Sequence, residues 1–279
     1  MDTIKEALTF DDVLLLPKYS DVLPSTTNIT LQLTKKITLK VPFFTSAMDT
    51  VTESKMAMAI AQEGGMGVIH RNLDIKKQSV EVKKVKNKKL KVGAAIGTNQ
   101  EDLERARSLI SNGVDLIVID TAHGHSKKVL QTLLKIKKIT KNTPVCVGNI
   151  ATREAAKKLY DSGADIIKVG IGPGSICTTR MVAGIGVPQI SAIMEVKEAL
   201  NKKNIKIISD GGIKFSGDIA KALAAGADAI MMGSIFAGTD ESPGKKYKIN
   251  GKLYKKYRGM GSIGAMSAGS ANRYFQKNF

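Results

Sequence analysis

The 279-residue sequence has no tryptophan, two cysteines and three histidines. Cys146 and Cys177 lie in different sequence contexts, so the chain is not a small scaffold held together by disulfides. The histidines are too few and too scattered to predict an imidazole metal site, although His123 and His125 stay open as a pair of ligands. No apolar run is long enough to span a membrane, and residues 1–5 lack the pattern of a signal peptide. We therefore expect a cytoplasmic protein that binds no membrane.

Acidic residues are also scarce, since 25 of them face 43 lysines and arginines and leave a net charge of +18. Such a surplus is typical of nucleic-acid binding, or of helices whose lysines are solvated. Residues 74–91 and 125–141 carry apolar residues at helical spacing between their lysines, which favours outer helices. Residues 244–258 interleave lysines with tyrosines around Asn250 and Gly251, so we predict a hairpin there and keep it as the candidate nucleic-acid surface.

A repeated phrase organises the chain. A glycine, a small apolar residue and an aspartate lead into a short apolar run at residues 113–118, 163–168 and 226–231, and an amphipathic segment precedes each glycine. This order is typical of a helix that ends at a glycine and continues into a strand buried on both faces. Three copies predict βα units joined in a parallel sheet.

Extending this pattern along the chain gives eight candidate strands and seven helices. The strands are expected at residues 43–48, 66–70, 91–97, 115–120, 144–150, 166–170, 206–212 and 229–234. The helices are expected at residues 52–64, 74–87, 99–112, 125–140, 152–162, 188–203 and 215–225. This alternation predicts an α/β protein with a (β/α)8 TIM barrel, with an open doubly wound sheet as the alternative. No amphipathic helix follows in residues 235–279, so we expect the last helix of the barrel to be missing and the chain to be truncated.

Small and polar residues stand at nearly every predicted strand end, where TIM barrels carry their functional groups. Glycine-rich turns after strands seven and eight commonly bind phosphate, and residues 210–212 and 233–234 fit this pattern, with Ser175 able to add a hydroxyl. Because a carboxylate beside a phosphate is repulsive, Asp210 is expected to accept hydrogen bonds from sugar hydroxyls. The predicted ligand is a nucleotide or a sugar phosphate, and two ordinary turns are the alternative.

A glycine-rich loop around Cys177 occupies much of residues 168–180. Cys146 lies inside a predicted strand, the usual place for an inert buried thiol. Cys177 instead lies near the predicted phosphate site and Arg180, where N–H groups and cations favour the reactive thiolate. From the residues alone, Cys177 is either a nucleophile for an electrophilic carbon or an exposed loop thiol.

Several segments together resemble the inosine 5′-monophosphate dehydrogenase family almost from end to end, and the cysteine loop is the most specific of them. The matching segments are residues 8–15, 46–51, 64–70, 168–180, 209–212 and 257–262. The resemblance implies NAD-dependent oxidation of IMP to XMP, in guanine nucleotide biosynthesis, through a covalent thioimidate on the cysteine. It also implies a homotetramer and a requirement for potassium.

The same resemblance implies roles for individual residues of this sequence. It makes Cys177 the nucleophile, and Thr179 a residue that assists catalysis. The implied substrate-binding residues are Ser46, Met48, Ser175, Asp210, Gly211, Gly212, Gly233, Ser234, Tyr257, Met260 and Gly261. The implied cofactor-binding residues are Asp120, Asn149, Gly170 and Gly172. The implied potassium ligands are the backbone carbonyls of Gly172, Gly174 and Cys177.

The sequence departs from the family pattern at two places. At about residues 86–90 the second helix leads directly to the third strand, where the family carries a pair of regulatory CBS repeats, so we expect one catalytic domain over residues 1–279. We also expect the distal flap, with the Arg-Tyr pair that activates water, to follow residue 276, and we do not assign that pair to Arg273 and Tyr274. Hydrolysis is then the step expected to suffer.

Two other functions stay open. GMP reductase resembles this sequence in the cysteine loop, but its usual pattern has a glutamate after the Gly-Met-Ser segment, which residues 259–264 lack. An incomplete barrel that binds nucleotide or RNA without catalysis, through residues 244–258, is the other alternative. Turnover with IMP and NAD distinguishes the first interpretation from both.

Overall fold

The computed structural model describes residues 5–267 and 269–274. Its first regular strands are a short antiparallel pair, β1 (Leu31–Thr34) and β2 (Ile37–Leu39), which the sequence analysis did not predict. Leu33 and Leu39 on this pair are buried in one apolar cluster with inward-facing side chains of the barrel that follows. The pair therefore closes the end of the barrel at which the strands begin.

Eight parallel strands form the predicted closed barrel, so the open doubly wound sheet is excluded. They are β3 (Phe43–Thr45), β4 (Met66–Ile69), β5 (Val92–Ile96), β6 (Leu116–Asp120), β7 (Val145–Ile150), β8 (Ile166–Val169), β9 (Lys206–Asp210) and β10 (Ala229–Met232). Each strand pairs with the next along the chain, and β10 pairs with β3 to complete the ring. Leu116 and Ile166 point into the barrel, whereas Ile117 and Ile167 pack outward against the helices. Burial on both faces explains why these strands are continuous apolar runs.

The seven predicted helices are all present, with ends that differ from the prediction by at most four residues. They are α1 (Ser54–Gln62), α2 (Ile75–Asn87), α3 (Glu101–Ser111), α4 (Lys127–Ile139), α5 (Arg153–Asp161), α7 (Gln189–Ala199) and α8 (Ser216–Ala224). A short additional helix, α6 (Thr179–Ala183), follows the cysteine loop. Polar side chains cap the N-termini of several helices. The carboxylate of Asp74, for example, accepts a hydrogen bond from the backbone N–H of Lys77 at 2.7 Å. No helix in the described part of the chain is long and apolar enough to cross a membrane.

The repeated aspartate has a structural role at the start of the strands. Asp115 accepts a hydrogen bond from the N–H of Val92, on the preceding strand, at 2.9 Å and another from Nζ of Lys86 at 2.7 Å. The other two copies make the equivalent contacts, which join Asp165 to Val145 and Lys137, and Asp228 to Ile207 and Lys206. Each aspartate links the beginning of its own strand to the beginning of the preceding strand. The sequence repeat therefore corresponds to the same inter-strand contact at three places in the barrel.

After β10 the chain forms α9 (Ser234–Ala237), the strands β11 (Lys246–Ile249) and β12 (Lys252–Lys255), and α10 (Ile263–Ser267). The predicted hairpin is confirmed, since β11 pairs with β12 and Asn250 and Gly251 have φ angles of 50° and 79°. Within the described residues, no helix longer than five residues follows β10, in agreement with the sequence analysis. The expectations for the first four residues and for the flap beyond residue 276 fall outside the described residues.

The segment between a short 3-10 helix, Phe10–Asp12, and β1 runs along the surface. Residues 13–30 contain one short 3-10 turn, Pro24–Thr26, and the hydrogen bonds found along them are local. Large apolar side chains on this arm are exposed, among them Leu14, Leu16 and Tyr19. The arm contributes little to the core of its own barrel.

Candidate active site

The carboxyl ends of the barrel strands surround an open cleft of about 1140 Å³. Every residue to which the family resemblance assigns a catalytic or ligand-binding role lines it. These residues are Ser46, Met48, Asp120, Asn149, Gly170, Gly172, Gly174, Ser175, Cys177, Thr179, Asp210, Gly211, Gly212, Gly233, Ser234, Tyr257, Met260 and Gly261. The structure thus brings the predicted groups into one place, while the role of each remains a prediction.

The loop after β8 carries Cys177 into the cleft. The N–H of Cys177 donates to the carbonyl of Gly174 at 3.0 Å, which closes a tight turn around the thiol. The Sγ atom of Cys177 lies 3.2 Å from Oγ1 of Thr179 and is half-buried. Cys146 is fully buried inside the barrel, and this burial raises the pKa of its thiol to about 12. The two cysteines therefore differ as the sequence indicated, and only the thiol of Cys177 can meet a ligand in the cleft.

One end of the cleft is lined by hydroxyl groups and glycines. A Cβ atom at Gly233 would lie 3.0 Å from Oη of Tyr257 and 3.1 Å from Sδ of Met48, so a larger residue here would press on both side chains. Burial raises the pKa of Tyr257 to about 12, while a hydrogen bond with Ser175 acts in the opposite direction. Tyr257 therefore keeps its proton at neutral pH and can donate it to an anion. Neutral donors of this kind suit a phosphate group.

The Asp210 carboxylate lies at the middle of the cleft. Nδ2 of Asn149 donates to Oδ2 of Asp210 at 2.9 Å and to the carbonyl of Gly170 at 2.8 Å. Nζ of Lys168 donates to the same Oδ2 atom at 2.5 Å. Both of these bonds fall on Oδ2, so Oδ1 is the oxygen that a ligand hydroxyl can approach. This arrangement agrees with the expectation that Asp210 holds a sugar.

Lys168 is a site residue that the sequence analysis missed. Lys168 is 1% exposed, and its Nζ atom contacts Oδ1 of Asp120 at 3.0 Å, Oδ1 of Asn149 and Oδ2 of Asp210. The available signal was a lysine in the middle of an otherwise apolar strand, since charged residues are rarely buried without a partner. The sequence analysis quoted Lys168 as part of the cysteine loop but assigned it no role.

Arg273 and Tyr274, which were not assigned to the water-activating pair from the sequence, also lie at the cleft. Both belong to a 3-10 helix, Ser270–Tyr274, that folds back over the rim of the barrel, and both line the cleft. The guanidinium of Arg273 forms an ion pair with Oδ2 of Asp120, and the N–H of Ala122 donates to the carbonyl of Arg273 at 3.2 Å. An adjacent arginine and tyrosine therefore do lie at the cleft, within the described residues.

Burial changes the proton affinity of both groups. It lowers the pKa of Arg273 to about 10, against the opposing influence of Tyr274. It raises the pKa of Tyr274, while Arg273 acts in the opposite direction. A neighbouring carboxylate such as Asp120 favours the charged guanidinium, so the ion pair and the burial of Arg273 have opposite effects.

The loop that carries Met260 is fastened from two sides. Oγ of Ser270 donates to the carbonyl of Met260, and the guanidinium of Arg258 forms an ion pair with Asp49. Burial acts to raise the pKa of Asp49, but the hydrogen bonds from Arg258 and Asn72 outweigh it and lower the pKa. The Met260 backbone is thus held at the cleft by groups from both neighbouring loops.

No cluster of three or more histidine, cysteine, aspartate or glutamate side chains that could hold a metal occurs in residues 5–267 and 269–274. The rings of His123 and His125 are tilted and 6.4 Å apart between centroids, and both residues are exposed. The pair that the sequence analysis kept open therefore gains no third ligand from these side-chain types.

Comparison with known proteins supports one family. A family model described as the IMP dehydrogenase / GMP reductase domain matches residues 7–279. The chain is 49% identical to inosine-5'-monophosphate dehydrogenase of Borreliella burgdorferi, over 98% of this chain and 80% of that protein. It is also 49% identical to the enzyme of that name from Cryptosporidium parvum, over 98% of this chain and 78% of the relative. The relative from Aquifex aeolicus is 40% identical over 98% of this chain and 82% of its own length.

The contrast between the two thiols gives a direct test. Iodoacetamide at about pH 8 is expected to label Cys177 in the native protein and to leave Cys146 unmodified, because burial excludes the reagent and raises the pKa of Cys146 to about 12. Peptide mass spectrometry measures the labelling at each position. Unfolding in urea serves as the control and should expose both thiols. Labelling of Cys146 as fast as Cys177 in the native protein would contradict the assignment.

Proposed function

Because the chain belongs to the IMP dehydrogenase / GMP reductase family, we propose that it is an NAD-dependent IMP dehydrogenase, which oxidises IMP to XMP for guanine nucleotide synthesis. The observation that carries this proposal is the position of the Cys177 thiol. It lies in a cleft that also offers neutral donors for a phosphate and a carboxylate for a ribose. The relatives compared above are all named inosine-5'-monophosphate dehydrogenase.

The substrate is proposed to lie along the cleft from the hydroxyl end towards the thiol. Its phosphate is bound by the donors around Ser175 and Tyr257, and its ribose hydroxyls reach Oδ1 of Asp210. The backbone of Met260 and Gly261 then borders the purine. The interaction between Ser175 and Tyr257 and the open oxygen of Asp210 support this orientation.

The reaction proceeds in two stages. Sγ of Cys177, after its proton passes to solvent, adds to C2 of the purine. The hydride on C2 would then pass to bound NAD, which would supply the two-electron oxidant, and the substrate would stay on Sγ as a thioimidate. Water then adds to C2, and the thiolate leaves as XMP is released. Thr179, with its Oγ1 atom 3.2 Å from Sγ, orients the sulfur for the first stage.

Arg273 and Tyr274 are proposed as the pair that activates water in the second stage. The resemblance implies an arginine followed by a tyrosine, and this pair lines the cleft within the described residues. The lowered pKa of Arg273, about 10, supports the role, because a larger fraction of the guanidinium is then neutral near pH 8, and only the neutral form can accept a proton from water.

The cofactor is proposed to use the carboxylate of Asp120 and the amide of Asn149. These polar groups end two neighbouring strands, β6 and β7, and fit the hydroxyls of a nicotinamide ribose. The dinucleotide supplies the hydride acceptor. Since Oδ2 of Asp120 is paired with Arg273, the ribose and Arg273 compete for one carboxylate. Arg273 would then leave Asp120 while the dinucleotide is bound and pair with it again for hydrolysis.

A potassium ion is proposed to bind the carbonyls of Gly172, Gly174 and Cys177. Neutral carbonyl oxygens suit a hard monovalent cation. The hydrogen bond from Cys177 to the carbonyl of Gly174 at 3.0 Å bends the loop into a tight turn, and a carbonyl keeps a second lone pair for the ion. The ion would stabilise the loop that presents the thiol.

We further propose that residues 1–279 act as one catalytic domain without CBS repeats, in the cytoplasm. Only four residues separate the end of α2 from the start of β5, which supports a direct connection. The alignment with the Aquifex aeolicus relative extends over 403 positions, far more than the 279 residues of this chain, and so supports insertions in that relative. The two free cysteines are in keeping with a reducing compartment.

Turnover and the covalent intermediate test the proposal together. Incubation with IMP and NAD in a potassium buffer is expected to yield NADH and XMP, and rapid acid quenching should reveal an adduct of nucleotide mass on the peptide of Cys177. The variant Cys177→Ala should form neither product nor adduct, whereas the matched variant Cys146→Ala should retain activity. Incubation with GMP and NADPH controls for GMP reductase activity. An adduct on Cys146, or product from Cys177→Ala, would refute the mechanism.

A second prediction concerns hydrolysis. The variant Arg273→Ala should transfer hydride and then accumulate the thioimidate, with steady-state turnover lowered about a hundredfold or more. Because the neutral form is the base and the pKa lies near 10, hydrolysis in the native enzyme should rise from about pH 7 to about pH 9. Quenched-flow measurement of NADH and XMP separates the two stages. The exposed Arg107→Ala serves as the control, and release of XMP at the native rate by Arg273→Ala would exclude the role.

Self-association is the third prediction. The family resemblance implies a homotetramer, and the exposed Leu14, Leu16 and Tyr19 support burial of the arm by other copies. Light scattering is expected to give about four times the 29.9 kDa mass of one chain. Serine at all three positions should lower that mass, whereas Leu253→Ser, at another exposed leucine, should not. An unchanged mass in the triple variant would remove the arm from the interface.

A further inference from the structure

The top layer of the barrel interior is charged where the layers beneath it are apolar. Ile166, the preceding inward residue of β8, packs in the apolar cluster, and Lys168 occupies the next inward position. Asp120 and Asp210, at the ends of β6 and β9, converge on Lys168 in this layer. Burying a charge is costly unless it is paired.

Lys168 has all of its donors occupied. An ammonium group has three hydrogens, and Nζ of Lys168 contacts three acceptors, on Asp120, Asn149 and Asp210. Gly148, on the neighbouring strand, leaves space for the side chain of Lys168. A Cβ atom at position 148 would lie only 2.7 Å from Cβ of Lys168 and would clash with it. The neighbouring strand therefore admits the lysine stem only because it carries a glycine there.

Asp120 and Asp210 each bind Lys168 through one carboxylate oxygen. The second oxygen of each carboxylate faces a different group or the cleft. Asp120 uses Oδ1 for Lys168 and Oδ2 for Arg273, while Asp210 uses Oδ2 for Lys168 and leaves Oδ1 towards the cleft. In the proposed reaction the outer partners change, since the cofactor ribose replaces Arg273 and the substrate ribose arrives at Asp210. Lys168 is the partner that both carboxylates retain throughout.

We propose that Lys168 is a positioning residue that holds the Asp120 and Asp210 carboxylates in their binding orientations and so couples the cofactor and substrate subsites. This inference rests on the proposed function. Lys168 contacts neither reacting carbon nor sulfur; it acts through the two aspartates. Its loss should therefore weaken both ligands at once, which substitution of one aspartate does not do.

The test is the variant Lys168→Met, which keeps the length of the side chain and removes its charge and donors. KM for IMP and KM for NAD are both expected to rise about tenfold or more, because each subsite loses a hydrogen bond to a charged group. Asp210→Asn should raise mainly KM for IMP, and Asp120→Asn mainly KM for NAD. Lys168→Arg retains the charge and should recover part of both losses. The matched control is Lys206→Met, which removes a 3.0 Å ion pair at the opposite end of the barrel and should change neither constant.

Non-additivity distinguishes positioning from general damage. In the Lys168→Met background, Asp210→Asn should add little further to KM for IMP, because the carboxylate has already lost its orientation. If Lys168→Met fails to fold, the double variant Lys168→Met/Asp120→Asn, which removes one negative charge from the layer that has lost its ammonium, is used for KM for IMP alone, because Asp120→Asn by itself is expected to change mainly KM for NAD. A rise in only one KM, or fully additive effects, would overturn the inference.

Calorimetric binding of IMP gives a readout that does not depend on turnover, and Kd should rise about tenfold in Lys168→Met. Failure of the proposed function would appear as native protein that binds IMP but does not oxidise it. Failure of this inference would appear as an active native enzyme whose Lys168→Met variant binds IMP with unchanged affinity.

Discussion

Closure of eight parallel strands into a ring is the constraint on which every other feature of this molecule depends. Since each strand runs in the same direction, all of their carboxyl ends meet at one rim, and residues far apart in the chain become neighbours there. The thiol loop after β8, the glycine turn after β9 and the end of β10 form one cleft for this reason. The aspartates at the start of the strands stabilise the same ring from the opposite end, because each fastens two neighbouring strands.

The positive and negative side chains in the upper layer of the barrel are equal in number. Lys168 and Arg273 face Asp120 and Asp210, and each carboxylate has a cation within hydrogen-bonding distance. A site that exchanges partners during a reaction needs this property, because an isolated charge in an apolar barrel would be costly at each exchange. In the proposed reaction, Lys168 is the partner that both carboxylates keep, and Arg273 is the partner that the cofactor replaces.

The barrel, and most of the residues that line its cleft, could be predicted from signals that lie close together in the sequence. Continuous apolar strands, glycines that end helices and a cysteine among glycines are all signals contained in short windows. The β1–β2 pair escaped because its strands are four and three residues long. The role of Lys168 was not predicted because its partners, Asp120 and Asp210, lie 48 and 42 residues away in the sequence. Arg273 and Tyr274 were left unassigned because the flap was expected to follow residue 276, and their place at the cleft depends on the chain folding back over the rim.

The connection between α2 and β5 has a consequence for engineering this protein. Residues 88–91 lie where β5 begins, so they are on the face of the barrel opposite to the cleft, and Lys89 adopts a φ of 59° in an exposed tight turn. A domain spliced into this turn would project away from the rim, and its two attachment points would be only a few residues apart. The turn is therefore a suitable insertion site for a sensor domain or an affinity module, because the cleft lies at the opposite end of the barrel.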